Sequence, residues 1–394
     1  MKKLILGSSA LVGVATLAAG AEGSDGIKLE VGGFFQTVFQ GVINSHNVKG
    51  LDSFGALRNE TRFVHNAEIH FKGETTLDNG LTVGAQVELE GEDASTGFGP
   101  DVDGDGTGDG DQIDKSFVYW SGGFGRVSIG SQDGPIGACP VFPPGATANF
   151  SAFSPASWGS NDPIGSNSVC TDTVSNSQSL KYTTPNFAGF QLALAYQPSN
   201  NAETYGQAGV NGAGTPTHPD GSAAHNFAAY VTYSYAGDGW GMDWGGGGSW
   251  QGKFNHGDGA NDGKSANYQS ALTFSFGGFA VGGIAEYYSI GGDDNNAWVA
   301  GGGASYGADA WTVGVQGSHG HYHGTGLAFG ADPNGSRNLD RVILTSSYQL
   351  APGVLLDAEV GYTWFHDSGS FSAANNRDPS YHAADLSIGS KLTF

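Results

Sequence analysis

The sequence predicts an all-β fold, an antiparallel transmembrane β-barrel of sixteen strands. Three observations support this fold. Segments of about ten residues alternate between apolar and polar positions, as membrane-crossing strands do. Seven short turns alternate along the chain with eight much longer polar segments. Beyond the N-terminal segment no run of eighteen apolar residues occurs, so helices that cross a membrane are not expected.

The first residues have the layout of a secretory signal peptide. Lys2 and Lys3 precede an apolar stretch, Leu4 to Ala18, which ends in small residues that suit a signal peptidase. A membrane anchor is the alternative, but the stretch is too short to span a bilayer. The sequence therefore predicts a signal peptide at 1–21 and a single barrel domain at 22–394.

Composition and charge restrict the class of protein. Charged residues are 14% of the chain and glycine is 67 of 394 residues, whereas a soluble domain has about 25% charged residues. The net charge is -22, so nucleic acid is not an expected partner. Acidic groups on a channel wall or mouth attract cations, because low-dielectric walls focus their field.

The clearest strand pattern lies at 81–90. Leu81, Val83 and Val87 share one face, and Gln86 and Glu88 share the other. A soluble β-sandwich produces the same alternation with its apolar face inward, so periodicity alone leaves both folds open.

Connection lengths favour the barrel. Gly, Pro, Asn and Asp clusters mark short turns, and an outer-membrane barrel has short turns at one end and long loops at the other. The short turns lie at 78–80, 122–125, 185–189, 236–239, 277–278, 307–309 and 351–353. The long segments lie at about 44–59, 91–112, 133–178, 198–224, 252–265, 291–296, 320–337 and 367–379.

The last predicted strand ends at the C-terminus of the chain. Leu386, Ile388, Leu392 and Phe394 lie on one face of it. This pattern resembles the C-terminal signal by which the barrel-assembly machinery recognises outer-membrane proteins. That machinery and outer-membrane lipid are therefore expected partners.

The segment Lys181 to Phe190, followed by Tyr196, resembles the turn after the third loop of Gram-negative general porins, particularly those of alphaproteobacteria. The strand Val31 to Phe35 and the terminal Phe394 extend the resemblance over the predicted mature chain. The resemblance implies a homotrimer in the bacterial outer membrane, a long third loop folded into the lumen, and passive diffusion of small hydrophilic solutes.

The third loop and the alternating strands supply candidate pore residues. The loop carries carboxylates but no Lys or Arg, and the few basic residues of the wall stand opposite it in such porins. Arg341 is ambiguous, because Ile343 shares its face. The surplus of carboxylates predicts modest cation selectivity. The candidate pore-lining residues are Arg62, Glu68, Lys72, Glu88, Arg126, Asp133, Asp162, Asp172, Glu286, Asp357 and Glu359.

Two other functions remain as alternatives to a general diffusion channel. One is a substrate-specific outer-membrane channel. The other is an outer-membrane enzyme, which is less expected because no Gly-x-Ser-x-Gly motif or convincing Ser/His/Asp set is evident.

The second long segment contains a candidate Ca²⁺ site. Asp101, Asp103, Asp105 and Asp109 supply oxygen ligands in the pattern of the first half of a calcium loop, although position twelve is Gln112 rather than Glu. A solvated acidic loop is the alternative interpretation.

Histidine and cysteine residues suggest two further features. His319, His321 and His323 have a spacing that suits a transition metal, but a polar strand end or loop is the favoured interpretation. Cys139 and Cys170, the two cysteines of an exported chain, predict one disulfide.

Overall fold

The computed structural model describes residues 26–44, 61–91, 113–146, 150–153, 167–174, 178–199, 224–251, 265–289, 296–323, 336–367 and 381–394, with the pairs 14–15, 210–211 and 215–216. Sixteen long strands form a closed antiparallel barrel, which confirms the predicted fold class. They are β1 Lys28–Asn44, β2 Thr61–Thr76, β3 Thr82–Glu90, β4 Ile113–Gly122, β5 Gly125–Ser131, β6 Gln178–Thr183, β7 Phe190–Ser199, β8 Ala224–Ala236, β9 Trp240–Trp250, β10 Ala266–Phe276, β11 Phe279–Ser289, β12 Asn296–Ala308, β13 Trp311–His323, β14 Ser336–Ala351, β15 Val354–Asp367 and β16 Tyr381–Thr393.

Each strand pairs with the next, and β16 pairs with β1 to close the barrel. At the closure Leu392 lies opposite Phe35. The terminal Phe394 continues the pairing, because its backbone N–H donates to the carbonyl of Gly33 over 3.1 Å. Closure leaves no free sheet edge in the barrel wall, which a structure immersed in lipid requires.

Three two-residue strands lie outside the sixteen. Val14–Ala15 pairs with the start of β1, and Val210–Asn211 pairs with Thr215–Pro216. Among the described residues there is no helix long and apolar enough to cross a membrane.

The seven predicted short turns all join consecutive strands at one end of the barrel. Gly80 and Gly353 have φ values of 80° and 76°, a left-handed conformation that glycine adopts without strain. A Cβ at Gly353 would also clash with the backbone oxygen of Thr393. Turn chemistry therefore sets the register of neighbouring strands, as the sequence predicts.

The barrel wall exposes apolar side chains on its outer face and encloses polar side chains, which is the reverse of a soluble protein. On β1, Phe35 is 46% exposed whereas its neighbour Gln36 is 4% exposed. The same alternation of outward apolar and inward polar side chains recurs around the barrel. This orientation excludes the sandwich alternative and gives the outer surface a lipid-compatible apolar band.

Aromatic side chains form two belts on the outer face. Trp311 and Tyr348 pack at 4.7 Å between ring centroids near the short turns, and Trp250 and Tyr268 pack at 6.0 Å near the long loops. Amphipathic rings favour these levels because they lie at the headgroup region. Tyr119 is an exception, since its ring points into the barrel.

Candidate pore and constriction loop

The third loop, between β5 and β6, enters the lumen. Its described residues are 132–146, 150–153 and 167–174. The backbone N–H of Ala146 donates to the hydroxyl of Thr345 over 3.0 Å, and the hydroxyl of Ser347 donates back to the Ala146 carbonyl over 2.8 Å. Gln316 donates to the carbonyl of Pro143 over 2.9 Å. These partners lie on β13 and β14, far from the loop in sequence, so the predicted inward fold is confirmed.

Apolar residues pack the loop against the same side of the wall. Phe153 is fully buried and lies 5.5 Å, between ring centroids, from Phe142. Both rings contact a cluster that includes Ile284 and Val299 on the inner wall. Burying a phenylalanine side chain stabilises a structure by about 1.5–3 kcal/mol. The loop therefore has its own hydrophobic anchor.

Glycines on β12 make room for this anchor. A Cβ at Gly301 would lie 2.7 Å from the ring of Phe153, too close for contact without a shift. A Cβ at Gly303 would clash with the backbone oxygen of Pro144. The absence of side chains at these inward positions lets the loop lie directly against the sheet.

The returning limb of the loop is fixed by one buried amide. Asn167 is fully buried, and its Nδ2 donates to the hydroxyl of Ser318 over 2.9 Å and to the carbonyl of Leu339 over 2.8 Å. The hydroxyl of Tyr322 donates to its Oδ1 over 3.0 Å. Each polar atom of the side chain is thus satisfied, which buried polar groups require.

Glu286 holds the loop from the wall of β11. Its carboxylate accepts hydrogen bonds from the backbone N–H groups of Cys170 and Thr171 and from the amide of Asn267. The side chain is 2% exposed. Alternation along the strand does point it inward, but the loop covers it. Glu286 is therefore a loop anchor, and its prediction as an open pore-lining charge is corrected.

Two cross-links join the outgoing and returning limbs of the loop. The predicted disulfide between Cys139 and Cys170 is present, with Cα atoms 5.3 Å apart. Asp172 accepts backbone N–H donors from Ile136 over 2.9 Å and from Val174 over 3.0 Å. Burial raises the pKa of the Asp172 carboxyl, an effect that these hydrogen bonds oppose. The structure thus gives Asp172 a role in shaping the loop.

Two more carboxylates of the predicted pore are buried behind the open surface. Arg341 is 1% exposed, and it donates to Asp385 over 2.9 and 3.1 Å and to Glu359. The ambiguity of Arg341 is resolved, since its side chain points inward. Glu359 is 3% exposed and Asp357 is 4% exposed. Glu359 is covered by its ion pair with Arg341, and Asp357 is buried in the wall, so their prediction as open pore-lining charges is corrected.

The open part of the charged wall lies on β1 to β6. Lys72 pairs with Glu74 over 3.1 Å and with Glu30 over 3.6 Å. Lys115 pairs with Glu88 over 2.8 Å and with Asp133, at the base of the loop, over 3.4 Å. Opposite charges therefore alternate along this surface.

Five predicted pore residues lie together on this wall and at the adjoining base of the loop. They are Glu68, Lys72, Glu88, Arg126 and Asp133.

Sequence reasoning missed further charged residues of the same surface. Lys115 was missed because the pairing of β3 with β4 shifts register between Glu88 and Leu89, which breaks simple alternation. Lys181 shares the inner face of β6 with Ser179 and Thr183. Alternation along this strand could therefore have predicted its inward direction. The missed residues include Glu30, Glu74, Lys115 and Lys181, with Lys391 on the neighbouring β16.

Several predictions fall outside the described residues. The side chain of Arg62 is outside them, although its backbone belongs to β2. So are Asp162 and the four predicted Ca²⁺ ligands, which are Asp101, Asp103, Asp105 and Asp109.

Metal-ligand atoms do come together on the open wall. One ligand atom each from Glu68, His70 and Glu88 lies within 4.8 Å of the other two. The ring of His70 already binds Glu68 over 2.7 Å, and Lys115 supplies a cation to Glu88. The ammonium of Lys115 thus takes the electrostatic role that a metal would have.

The three spaced histidines lie at the outer end of β13, on the face that points away from the lumen. His319 Nδ1 lies 2.7 Å from Asp340 Oδ1, and His321 Nδ1 lies 2.8 Å from Asn338 Oδ1. The ring of Trp298 contacts both imidazoles, tilted against His319 at 5.0 Å and stacked on His321 at 6.2 Å between centroids. The segment is therefore a polar strand end with neighbours from both adjacent strands.

Comparisons with known proteins agree with this architecture. A family model described as Gram-negative porin matches residues 7–368. No curated protein sequence matches the chain.

Solved structures resemble the chain over its whole barrel. A loop-deletion form of OmpT, an outer membrane protein of Vibrio cholerae, is 12% identical with a TM-score of 0.59, and the match covers 94% of this chain and 100% of that one. An anion-selective porin from Comamonas acidovorans is 16% identical with a TM-score of 0.53, covering 93% and 99%. A mutant of Rh. blastica porin is 15% identical with a TM-score of 0.51, covering 93% and 100%. At these identities the likeness shows the fold alone.

Proposed function

Because the chain belongs to the Gram-negative porin family, we propose that it forms a water-filled, modestly cation-selective channel for passive diffusion of small hydrophilic solutes. Its place is the bacterial outer membrane. The proposal rests on one observation: the third loop fills one side of the lumen and leaves the other side open. The third loop packs on β9 to β14, whereas the charged wall of β1 to β6 stays partly exposed. That wall is the path left for water and ions.

The wall contributes little net charge to the proposed selectivity. Its carboxylates pair with Lys72 and Lys115, and Glu88 among them is only 6% exposed. Three other carboxylates predicted for the path, Glu286, Asp357 and Glu359, are buried elsewhere. The larger asymmetry is in the long connections. Residues 91–112 contain seven carboxylates and no Lys or Arg. We expect these groups to concentrate cations at the loop end of the channel, within about 10 Å at 0.1 M salt.

Several assembly features belong to the same proposal. The outer surface of the last strand, with Phe394 47% exposed, suits recognition by the barrel-assembly machinery. A homotrimer is proposed from the family resemblance, and the Vibrio cholerae OmpT structure is described as a trimer form. The signal peptide at 1–21 and Ca²⁺ bound by Asp101, Asp103, Asp105 and Asp109 rest on the sequence alone.

A general diffusion channel is favoured over an outer-membrane enzyme by the family and the fold. A substrate-specific channel is the second candidate, and one observation favours it. The open wall contains a cavity with two basic side chains and no carboxylate among its lining residues.

Reconstitution of the purified protein into planar lipid bilayers tests the proposal. Insertion should produce discrete current steps whose conductance rises in proportion to that of the bathing KCl solution, because ions in a wide pore keep much of their hydration. A heat-denatured sample is the control and should give no steps. Correctly folded protein that inserts without conducting would overturn the assignment as an open channel.

A further inference from the structure

The inner wall near the short turns contains a cavity of about 540 Å³. This volume lies within the range of about 300–1,000 Å³ that is usual for small-molecule sites. Strands β3 to β7 and the base of the third loop form it. Its basic residues are Arg126 and Lys181, and none of the described residues that line it is a carboxylate.

Arg126 is held in place by an aromatic surface. The Cζ atom of Arg126 lies 3.8 Å from the ring centroid of Tyr119 and 5.7 Å from that of Phe117. The Tyr119 hydroxyl donates to Glu74 over 2.6 Å, which fixes the ring. No carboxylate of the described chain pairs with Arg126 within salt-bridge distance. The guanidinium is therefore oriented before any ligand arrives, and Glu74, the partner of Tyr119, offsets its charge only from beyond ion-pair distance.

Lys181 brings a second cation to the cavity, and no described carboxylate forms a direct ion pair with it. Its Nζ donates to the backbone carbonyl of Asp133 over 2.8 Å. The Asp133 carboxylate is directed instead to Lys115, 3.4 Å away. Because an ammonium has three donors, Lys181 keeps donors for a ligand after this bond.

Neutral polar groups complete the lining. Gln86 donates through Nε2 to Glu88, which leaves its amide oxygen as an acceptor. Gln191 donates through Nε2 to the carbonyl of Thr184 over 3.1 Å and keeps one N–H and its oxygen. Thr183 and Ser121 add hydroxyl groups to the same surface. Such groups can bind ligand hydroxyls but add no charge.

We propose that this cavity is a binding subsite for a small polyhydroxylated organic acid, of the sugar-acid or hydroxycarboxylic-acid class. The planar guanidinium of Arg126 matches a carboxylate through two parallel hydrogen bonds, and Lys181 adds the second charge. The amides and hydroxyls bind the remaining oxygens. The inference rests on the proposed channel, because it gives that channel a preferred solute although the channel prefers cations among simple ions.

Gluconate and its neutral counterpart glucose are the probes. Gluconate should reduce the single-channel KCl current with a saturable dependence on concentration. Glucose should act at least tenfold more weakly, because it lacks the carboxylate that would pair with Arg126. Arg126→Gln and Lys181→Gln should each weaken the gluconate effect by about tenfold. Lys28→Gln is the matched control, since it removes one charge at the exposed start of β1, outside the cavity. It should leave the gluconate effect unchanged.

Isothermal titration of gluconate into the folded, detergent-solubilised protein separates this inference from the channel proposal. A heat of gluconate binding in a protein that shows no conductance in bilayers would support the subsite and contradict the channel. Conductance with equal responses to gluconate and glucose would contradict the subsite and leave the channel supported. An equal loss in Lys28→Gln and Arg126→Gln would also overturn the subsite, because it would indicate a general effect of charge.

Discussion

The carboxylate of Glu286 accepts a hydrogen bond from the backbone N–H of Cys170. The wall of the barrel thus holds the third loop at the half-cystine that closes its disulfide. Both ends of the contact are buried or half-buried, so the position of the loop is set by an ionic hydrogen bond and a covalent bond at the same point.

Glu286→Gln should loosen the loop without disrupting the barrel. The amide has one acceptor oxygen where the carboxylate has two, so one of the N–H groups of Cys170 and Thr171 loses its partner. Hydrogen bonds to charged groups contribute about 1.5–3 kcal/mol. We expect larger current fluctuations in the open channel at constant voltage. Asp243→Asn, which removes an exposed carboxylate on β9, is the control and should leave the fluctuations unchanged.

Cys139→Ser with Cys170→Ser should make the loop easier to open. In the chain-entropy model a cross-link across 31 residues contributes about 3–4 kcal/mol. Limited proteolysis of the folded protein should cut the double variant within the loop sooner than the parent chain. Equal cleavage rates would show that the apolar anchor around Phe153 suffices. The electrophoretic shift of the barrel on heating checks that the fold is intact.

Arg341→Met should strongly destabilise the barrel. It leaves Glu359 and Asp385 buried without their cation, and breaking a buried ion pair costs about 3–5 kcal/mol. Lys72→Met removes a partly exposed lysine with two carboxylate partners, and such pairs are worth about 0–1 kcal/mol. Urea unfolding in detergent micelles compares the two variants. Similar midpoints would contradict the assignment of Arg341 to a buried ion cluster.

Strand number and turn positions could be predicted because each depends on local chemistry. The disulfide could be predicted because an exported chain with two cysteines allows one pairing. Alternation reports the two faces of a strand, and turn glycines such as Gly80 and Gly353 report positive φ. The inward direction of Glu286, Asp357 and Glu359 was also predictable from parity.

Exposure of those carboxylates was not predictable, because it depends on contacts remote in the chain. Glu286 is covered by Cys170 and Thr171, more than a hundred residues earlier. Arg341 on β14 donates a hydrogen bond to Asp385 on β16, two strands away in the sheet. Alternation states which face a side chain takes, but not what packs over it.

Removal of Ca²⁺ should lower the thermal stability of the protein if Asp101, Asp103, Asp105 and Asp109 bind it. A ligand present at a hundred times its Kd stabilises the folded state by about 2.7 kcal/mol. A melting curve before and after chelation measures the change, with Asp105→Asn and Asp109→Asn as a variant that should no longer respond. An unchanged melting temperature in the parent protein would exclude the site.

The reversal potential of the reconstituted channel across a KCl gradient tests the central claim most directly. The acidic surplus of the chain, -22 overall, predicts a potential of the sign given by excess K⁺ permeation in dilute salt. The potential should shrink as the salt concentration rises on both sides, because screening shortens the reach of each charge. A potential of the sign given by excess Cl⁻ permeation in dilute KCl would contradict a cation-selective channel.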